Sequence, residues 1–321
     1  MPDLTVSTAE MAALWNRSAP GHPLTYEVLD EMTSADPSFE AGDVLCEFEG
    51  DRLVGFALAK RFRRAFLGCE KFQSLGWLAL MAVHPEYQRR GLGRKLVGRA
   101  EAYLKIQGAD RVVLGGSFHH ALAGVPERSP ARALFANCGY DVGPKLVWDV
   151  QRDVRSFVMP DRVGADLAAA GVSGRMVVSR YGMSVEPEAT AALLEFMHAE
   201  FPGRWTRDVA FALSRGDSPG LVATLEEGYS VVAFAQVHPA GSPGALRWRG
   251  FDPEIAAIGP VGVARAHQGK GLGLAIVALA TEHLKRMDAR RVVIDWTDLL
   301  DFYGRLGYQP WLSYVLAQKT L

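Results

Sequence analysis

Apolar residues in this chain gather into short runs and helical stripes, and the order of those runs repeats. Leu75–Val83 and Ile255–Val263 are nearly unbroken apolar stretches of strand length, so each predicts a buried β-strand. Each runs into a glycine-containing turn. Beyond the first turn, Leu92, Leu96, Val97 and Ala100 recur at helical spacing, which predicts an amphipathic helix over Leu92–Ile106; its counterpart covers Leu272–Met287. The β-branched segments Val112–Leu114 and Val292–Ile294 predict the next strands. A short helix follows in each case and is stopped by Gly139 or Gly307, with Thr297 as the expected N-cap of the second. Ahead of the first block, Cys46–Phe48 and Leu53–Ala59 predict an antiparallel pair. Elements in this order describe an α+β protein with a mixed sheet, not a doubly wound alternation.

Laid over itself, the sequence keeps register. Val83–Gly93 matches Val263–Gly273 without a gap, an offset of 180, and Arg111–Leu114 meets Arg291–Ile294 at the same offset. Leu53–Ala57 resembles Val231–Ala235 at an offset of 178. Further on, Phe135, Gly139 and Tyr140 match Tyr303, Gly307 and Tyr308 at 168, so the first half carries 12 extra residues after its strand. These fall around Gly116–Pro130, a His-, Gly- and Pro-rich stretch that reads as a loop with His119 and His120 exposed. Register kept from strand through turn and helix to the next strand indicates a duplication. The expected division is residues 1–160, a linker over 161–174, and residues 175–321, with Ala165–Ala170 adding a short helix to the linker.

At 321 residues the chain is long enough for two cores of about 150 residues each. Apolar residues make up 49% and charged residues 22%, so neither half needs a metal or a disulfide to hold a core. A formal net charge of −1 gives no general attraction to nucleic acid or anionic lipid, and neither is expected as a partner. Cys46, Cys69 and Cys138 lack C-x-x-C spacing, which argues against a disulfide framework or a structural zinc. The histidines offer no metal triad. No basic-then-apolar leader is visible and Leu75–Val83 is too short to span a bilayer, so a cytoplasmic location is expected.

The chemistry is concentrated in the two turns, Gln88-Arg89-Arg90-Gly91-Leu92-Gly93 and Gln268-Gly269-Lys270-Gly271-Leu272-Gly273. A turn entering a helix presents unpaired N–H groups and the positive end of the helix dipole, which suits phosphate oxygens. Glycine lets the backbone approach an anion closely. Neither turn offers the G-x-x-x-x-G-K-[ST] of a P-loop. A dinucleotide fingerprint needs a third small residue where Leu96 and Ile276 stand.

The surviving pattern, Q-x-x-G-x-G between strand and helix, resembles that of the GNAT superfamily of acyl-CoA N-acyltransferases, over about residues 45–150 and 220–321. The tandem arrangement resembles that of two-domain members. The resemblance implies two such domains, each a mixed, mostly antiparallel sheet flanked by helices. It implies acetyl-CoA as co-substrate, no metal, and transfer of an acetyl group by direct attack of a small-molecule primary amine. The coenzyme contacts it assigns are Val261, Val263 and Gln268, Gly269, Lys270, Gly271, Leu272 and Gly273 in the second half. In the first half they are Met81, Val83 and Gln88, Arg89, Arg90, Gly91, Leu92 and Gly93. Tyr303 falls where family members place a general acid for the departing thiolate. Phe135, at the matching position of the first half, has no proton to give, so turnover is expected in the second half. The general base is open between Glu254 and Asp295. Phe201–Trp205 and Arg247–Arg249 would wall the acceptor pocket, their guanidinium groups suiting a sugar or a carboxylate-bearing amine. Two other readings stand beside this one: a silent acyl-CoA sensor, and a tRNA-dependent aminoacyl transferase, which the neutral charge disfavours.

Overall fold

A computed structural model describes residues 6–180, 182–216 and 219–321. The first half runs α1 (Thr8–Ser18), α2 (Tyr26–Met32), β1 (Val44–Glu49), β2 (Arg52–Arg61), β3 (Leu75–Val83), α3 (Leu92–Ile106), β4 (Arg111–Leu114), β5 (Val125–Pro126), α4 (Ala131–Asn137) and β6 (Asp141–Asp153). The second runs α5 (Asp161–Ala170), β7 (Ser173–Arg180), β8 (Met183–Ser184), α6 (Pro187–Glu200), α7 (Arg204–Ser214), β9 (Gly220–Glu227) and β10 (Ser230–His238). It continues through β11 (Ile255–Val263), α8 (Leu272–Arg286), β12 (Arg291–Thr297), α9 (Leu300–Gly304) and β13 (Gln309–Thr320). The fold is the expected mixed α/β one, mostly antiparallel, with two GNAT units in tandem. Its parallel contacts are β3 with β4 and β11 with β12.

The two halves share one continuous sheet, ordered β1-β2-β3-β4-β13-β6-β12-β11-β10-β9-β7-β8, with β5 beside β13. The last strand of each half has crossed over. β13 lies against β4 of the first half, β6 lies against β12 of the second, and the two pair with each other antiparallel along most of their length. Among the described residues, every strand at this junction therefore has a neighbouring strand on both sides. The sequence repeat gave no sign of this exchange, because swapping equivalent strands leaves the order of elements along each half unchanged.

The stretch expected as a linker is helix α5 leading into β7, the helix beginning at Asp161 rather than Ala165. Val163 joins the apolar core around α8. That contact accounts for a difference between the two matched helices. In α3 only Leu96, Val97, Ala100 and Leu104 are buried, one face, whereas in α8 burial runs nearly all round from Leu272 through Ala280 because α5 covers a second side.

In the first half, Lys60 on β2 is 2% exposed and its Nζ lies 2.7 Å from Asp36. It also donates to the carbonyls of Met32 (2.7 Å) and Phe118 (3.1 Å), tying α2 and the 116–130 insertion to the sheet. Removing one partner strands the other charge away from water. Asp36→Ala should cost about 3–5 kcal/mol in urea unfolding, while the double change Asp36→Leu with Lys60→Met should recover most of it. Equal losses in the two proteins would contradict this account.

Candidate active site

Both glycine turns fold alike. Gly91 (φ +84°) and Gly271 (φ +81°) occupy the left-handed region as N-caps of α3 and α8, leaving the first helical N–H groups bare. Two positions earlier in the pattern the halves differ: Gly269 has φ +80°, whereas Arg89 holds φ +62°, a conformation an arginine adopts at a cost. Gln88 and Gln268 donate to the carbonyls of Val83 (3.0 Å) and Val263 (3.3 Å), so each side chain closes its turn onto the preceding strand. Lys270, Arg89 and Arg90 are exposed at the rim. The second turn has a neighbour the first lacks. A Cβ on Gly271 would lie 2.5 Å from Asp166 Oδ2 of α5, whereas one on Gly91 would meet nothing within 4 Å.

The larger difference lies at the other end of each groove. β11 and β12 run parallel from Ile255/Arg291 to Ile258/Ile294 and then part. At the fork β11 carries an extra residue, since Val237 pairs with Ile258 but Ala235 with Val261, placing a bulge at Gly259–Pro260. The fork opens into a cavity of about 670 Å³ lined by Gly259, Pro260, Val261, Asp295 and Tyr303 among others. In the first half β3 and β4 part at the equivalent pair, Leu78/Leu114. There Ala121, Leu122 and Ala123 of the insertion are buried in one apolar cluster with Ala79, Leu80 and Ala82 of β3 and Tyr314 of β13. Ala79 and Leu80 match Gly259 and Pro260. The residues that line a cavity in the second half are packed under the insertion in the first.

Tyr303 is 7% exposed and faces the cavity. Burial, with the charge of Asp295 adding to it, pushes its hydroxyl up to about 12. It is therefore protonated throughout the physiological range. Helix α9 begins at Leu300 with Leu299 as N-cap, and Thr297 instead ends β12, its Oγ accepting from the Leu299 N–H at 3.0 Å.

Of the two base candidates, Glu254 is misplaced. It stands exposed just ahead of β11, 3.9 Å from Arg290, and is absent from the cavity wall. Five residues of strand, about 16 Å, separate it from Gly259. Asp295 is in the cavity but committed: its Oδ2 lies 3.1 Å from His120 Nε2 and accepts from Arg247. Burial acts to raise its carboxyl, but Arg247 and His120 outweigh that and hold it well below the usual carboxylate range. An anion so stabilised is a poor proton acceptor. Beneath it, Asp149 of β6 accepts from Trp248 Nε1 (3.0 Å), Tyr314 Oη (3.1 Å) and the Trp296 N–H (3.3 Å). Burial and the nearby Asp295 charge raise this second carboxyl.

The insertion histidines are the main surprise of the site. His119 and His120 are drawn in under α7 rather than exposed, and both line the cavity. Burial lowers them to about 3 and about 4, and lowers His238 to about 4, so all three are neutral above about pH 5. His238 donates Nε2–H to the Gly259 carbonyl at 2.9 Å. Of the segments expected to wall an acceptor pocket, Arg204, Trp205 and Arg247 line the cavity, whereas Arg249 is not on its wall and pairs with Glu27 at 3.3 Å. Sequence pattern missed the first-half contributors because nothing local marks a loop that docks on the other half.

Among the described residues, no cluster of His, Cys, Asp or Glu could hold a metal, and no helix is long and apolar enough to cross a membrane.

Each half thus presents a strand, a glycine turn with bare N–H groups and a helix, and in the second half the parallel pair forks beside a tyrosine. The acetyltransferase (GNAT) family model matches residues 9–140 and 190–308, and the chain belongs to that family. The mycothiol acetyltransferase of Arthrobacter sp. (strain FB24) is 27% identical over 273 residues, covering 82% of this chain and 73% of that protein. Among solved structures, the glucosamine N-acetyltransferase region of a fungal multi-domain β-N-acetylglucosaminidase superposes with a TM-score of 0.81 at 24% identity. That match covers 97% of this chain, which spans only 37% of the fungal one. A tandem GNAT protein of the clavulanic acid biosynthesis pathway gives a TM-score of 0.64 at 16% identity, covering 99% and 97%.

Proposed function

We infer that the second half is the working acetyltransferase, moving an acetyl group from acetyl-CoA to the primary amine of a small molecule in a ternary complex. The observation that carries this reading is the open fork between β11 and β12, with Tyr303 in its cavity and the Gly271 turn at its mouth. The N–H groups entering α8 would take the diphosphate oxygens, and Val261 and Val263 would flank the pantetheine arm. Tyr303 would hold a proton where the thiolate departs. The first-half turn keeps its N–H groups, but beyond it Ala121, Leu122 and Ala123 share an apolar cluster with Ala79 and Leu80 of β3, so no turnover is assigned to it. The division into units 1–160 and 175–321, with the exchanged β6 and β13, forms part of the same proposal. The naming of its relatives supports a small-molecule amine as acceptor, and a cytoplasmic setting would supply acetyl-CoA.

Thiol release from acetyl-CoA across a panel of primary amines tests this. Release should depend on the amine and yield its N-acetyl product, with no acetyl left on the protein. Coenzyme binding without turnover on any amine would instead describe a sensor.

The carboxylates lining the cavity are all paired: Glu31 with Arg215, Asp208 with Arg204, Asp295 with Arg247, and Asp298 with Lys145. The cavity histidines are lowered far below neutrality and Asp295 is held as an anion, so none of these is assigned as the base, and Asp149, whose carboxyl is raised, is not on the cavity wall. The acceptor's own ammonium must then lose its proton before attack. kcat/KM should rise with pH until the amine's pKa, and two amines of different pKa should give limbs displaced by that difference. A limb at one fixed pH for both would reveal a base on the protein.

A further inference from the structure

Residues 116–124 leave the sheet after β4 and rejoin it at β5, and their polar groups reach across to the second half. Arg204 Nη1 donates to the Gly116 carbonyl at 2.8 Å, and its Nη2 donates to the Ser117 carbonyl and His120 Nδ1, both at 3.0 Å. Its Nε lies 3.4 Å from Asp208, and its guanidinium plane sits 5.1 Å from the centre of the Phe118 ring. Because Arg204 can only donate, His120 Nδ1 is the accepting nitrogen, and the Nε2–H points to Asp295. Asp295 in turn accepts from Arg247, so the His120 Nε2–H and the Arg247 guanidinium, both donors, converge on one carboxylate. His120 therefore stands between Arg204 and Arg247, two of the three arginines lining the cavity among the described residues, the third, Arg215, being paired with Glu31.

Other groups at the cavity lack partners. Gln236 of β10 is 4% exposed, lines the cavity, and makes no side-chain hydrogen bond among the described residues. Ser242 Oγ is buried there without a partner among the described residues. Both are neutral and suit hydroxyl or amide groups. Trp205, Phe211 and Trp296 line the same cavity.

We propose that the first-half insertion sets acceptor choice in the second half: by engaging Arg204 through His120, and Arg247 through the Asp295 that His120 orients, it excludes amines that carry a carboxylate and leaves Gln236 and Ser242 to select hydroxyl-bearing ones. In this arrangement His120 is a positioning residue. The proposal rests on the acetyl-transfer reading above and deepens it by naming the class of acceptor.

The test compares kcat/KM for 2-amino-2-deoxyglucose and 2-amino-2-deoxyglucuronic acid, which share the amine and differ only at C6, in the full-length protein. The intact protein should prefer the neutral sugar. His120→Ala should lower that preference about tenfold by freeing the guanidinium groups, with KM for acetyl-CoA unchanged. His120→Gln, which keeps a donor and an acceptor, should restore it and so separate this role from a folding defect. A preference unchanged in His120→Ala would overturn the proposal. Failure of both sugars while other amines are acetylated would also overturn it and leave the acetyl-transfer reading standing. No turnover on any amine would remove that reading itself.

Discussion

Replacing Tyr303 with phenylalanine is expected to lower kcat about 10²–10³-fold while KM for acetyl-CoA stays within about twofold. The change removes one oxygen and nothing else. Among the described residues that hydroxyl has no hydrogen-bond partner, and its upward shift comes from burial and the Asp295 charge alone. Loss of the oxygen should therefore leave the melting temperature nearly unchanged, so a fall in rate reports chemistry. The first half already contains the experiment: Phe135 occupies the matching position, 6% exposed, and packs edge-on against Tyr140 at 5.5 Å. A thiolate leaves tolerably well unaided, which sets the upper end of the effect at about 10³ rather than higher. Stopped-flow detection of free thiol at saturating acetyl-CoA would measure it. An unaltered kcat would remove Tyr303 from the mechanism.

The second large effect is expected at the turn. Gly271→Val should raise the Kd for acetyl-CoA about 100-fold or more, measured by calorimetry. A β-branched residue is strongly disfavoured at φ +81°, and its Cβ would collide with Asp166 at 2.5 Å. Relief of either problem moves the N–H groups entering α8. Asp166 itself predicts a smaller change of opposite sign. Its carboxylate abuts the turn, with Arg162 3.3 Å away in partial compensation, and would repel a diphosphate. Asp166→Asn should tighten coenzyme binding by a few fold at low salt, and the gain should shrink as salt screens the pair. Tighter binding in Gly271→Val would contradict the placement of the diphosphate.

The elements that position the chemistry were legible because their signals are local. The strands Leu75–Val83 and Ile255–Val263 and the helix Leu92–Ile106 fall where the apolar runs and helical stripe put them. The left-handed glycines at both turns follow from Q-x-x-G-x-G. What remained hidden depends on contacts between the halves. His119 and His120 read as exposed loop residues because burial under α7 is written in no neighbouring residue. Glu254 was a candidate base only by its place on a strand, and the structure puts it at the wrong end of that strand. Asp295 was located on the right strand, but its partners Arg247 and His120 lie 48 and 175 residues away, so its commitment to them could not be foreseen. The strand exchange is silent for the same reason: β6 and β13 carry the same pattern wherever they pair.

The central claim is that the coenzyme reacts at the fork of β11 and β12. A crystal structure of the protein with acetyl-CoA tests it most directly. The account predicts the diphosphate within hydrogen-bonding distance of the N–H groups of residues 269–273 and the thioester in the 670 Å³ cavity beside Tyr303. A thioester lodged instead between β3 and β4, with residues 121–123 displaced, would contradict it.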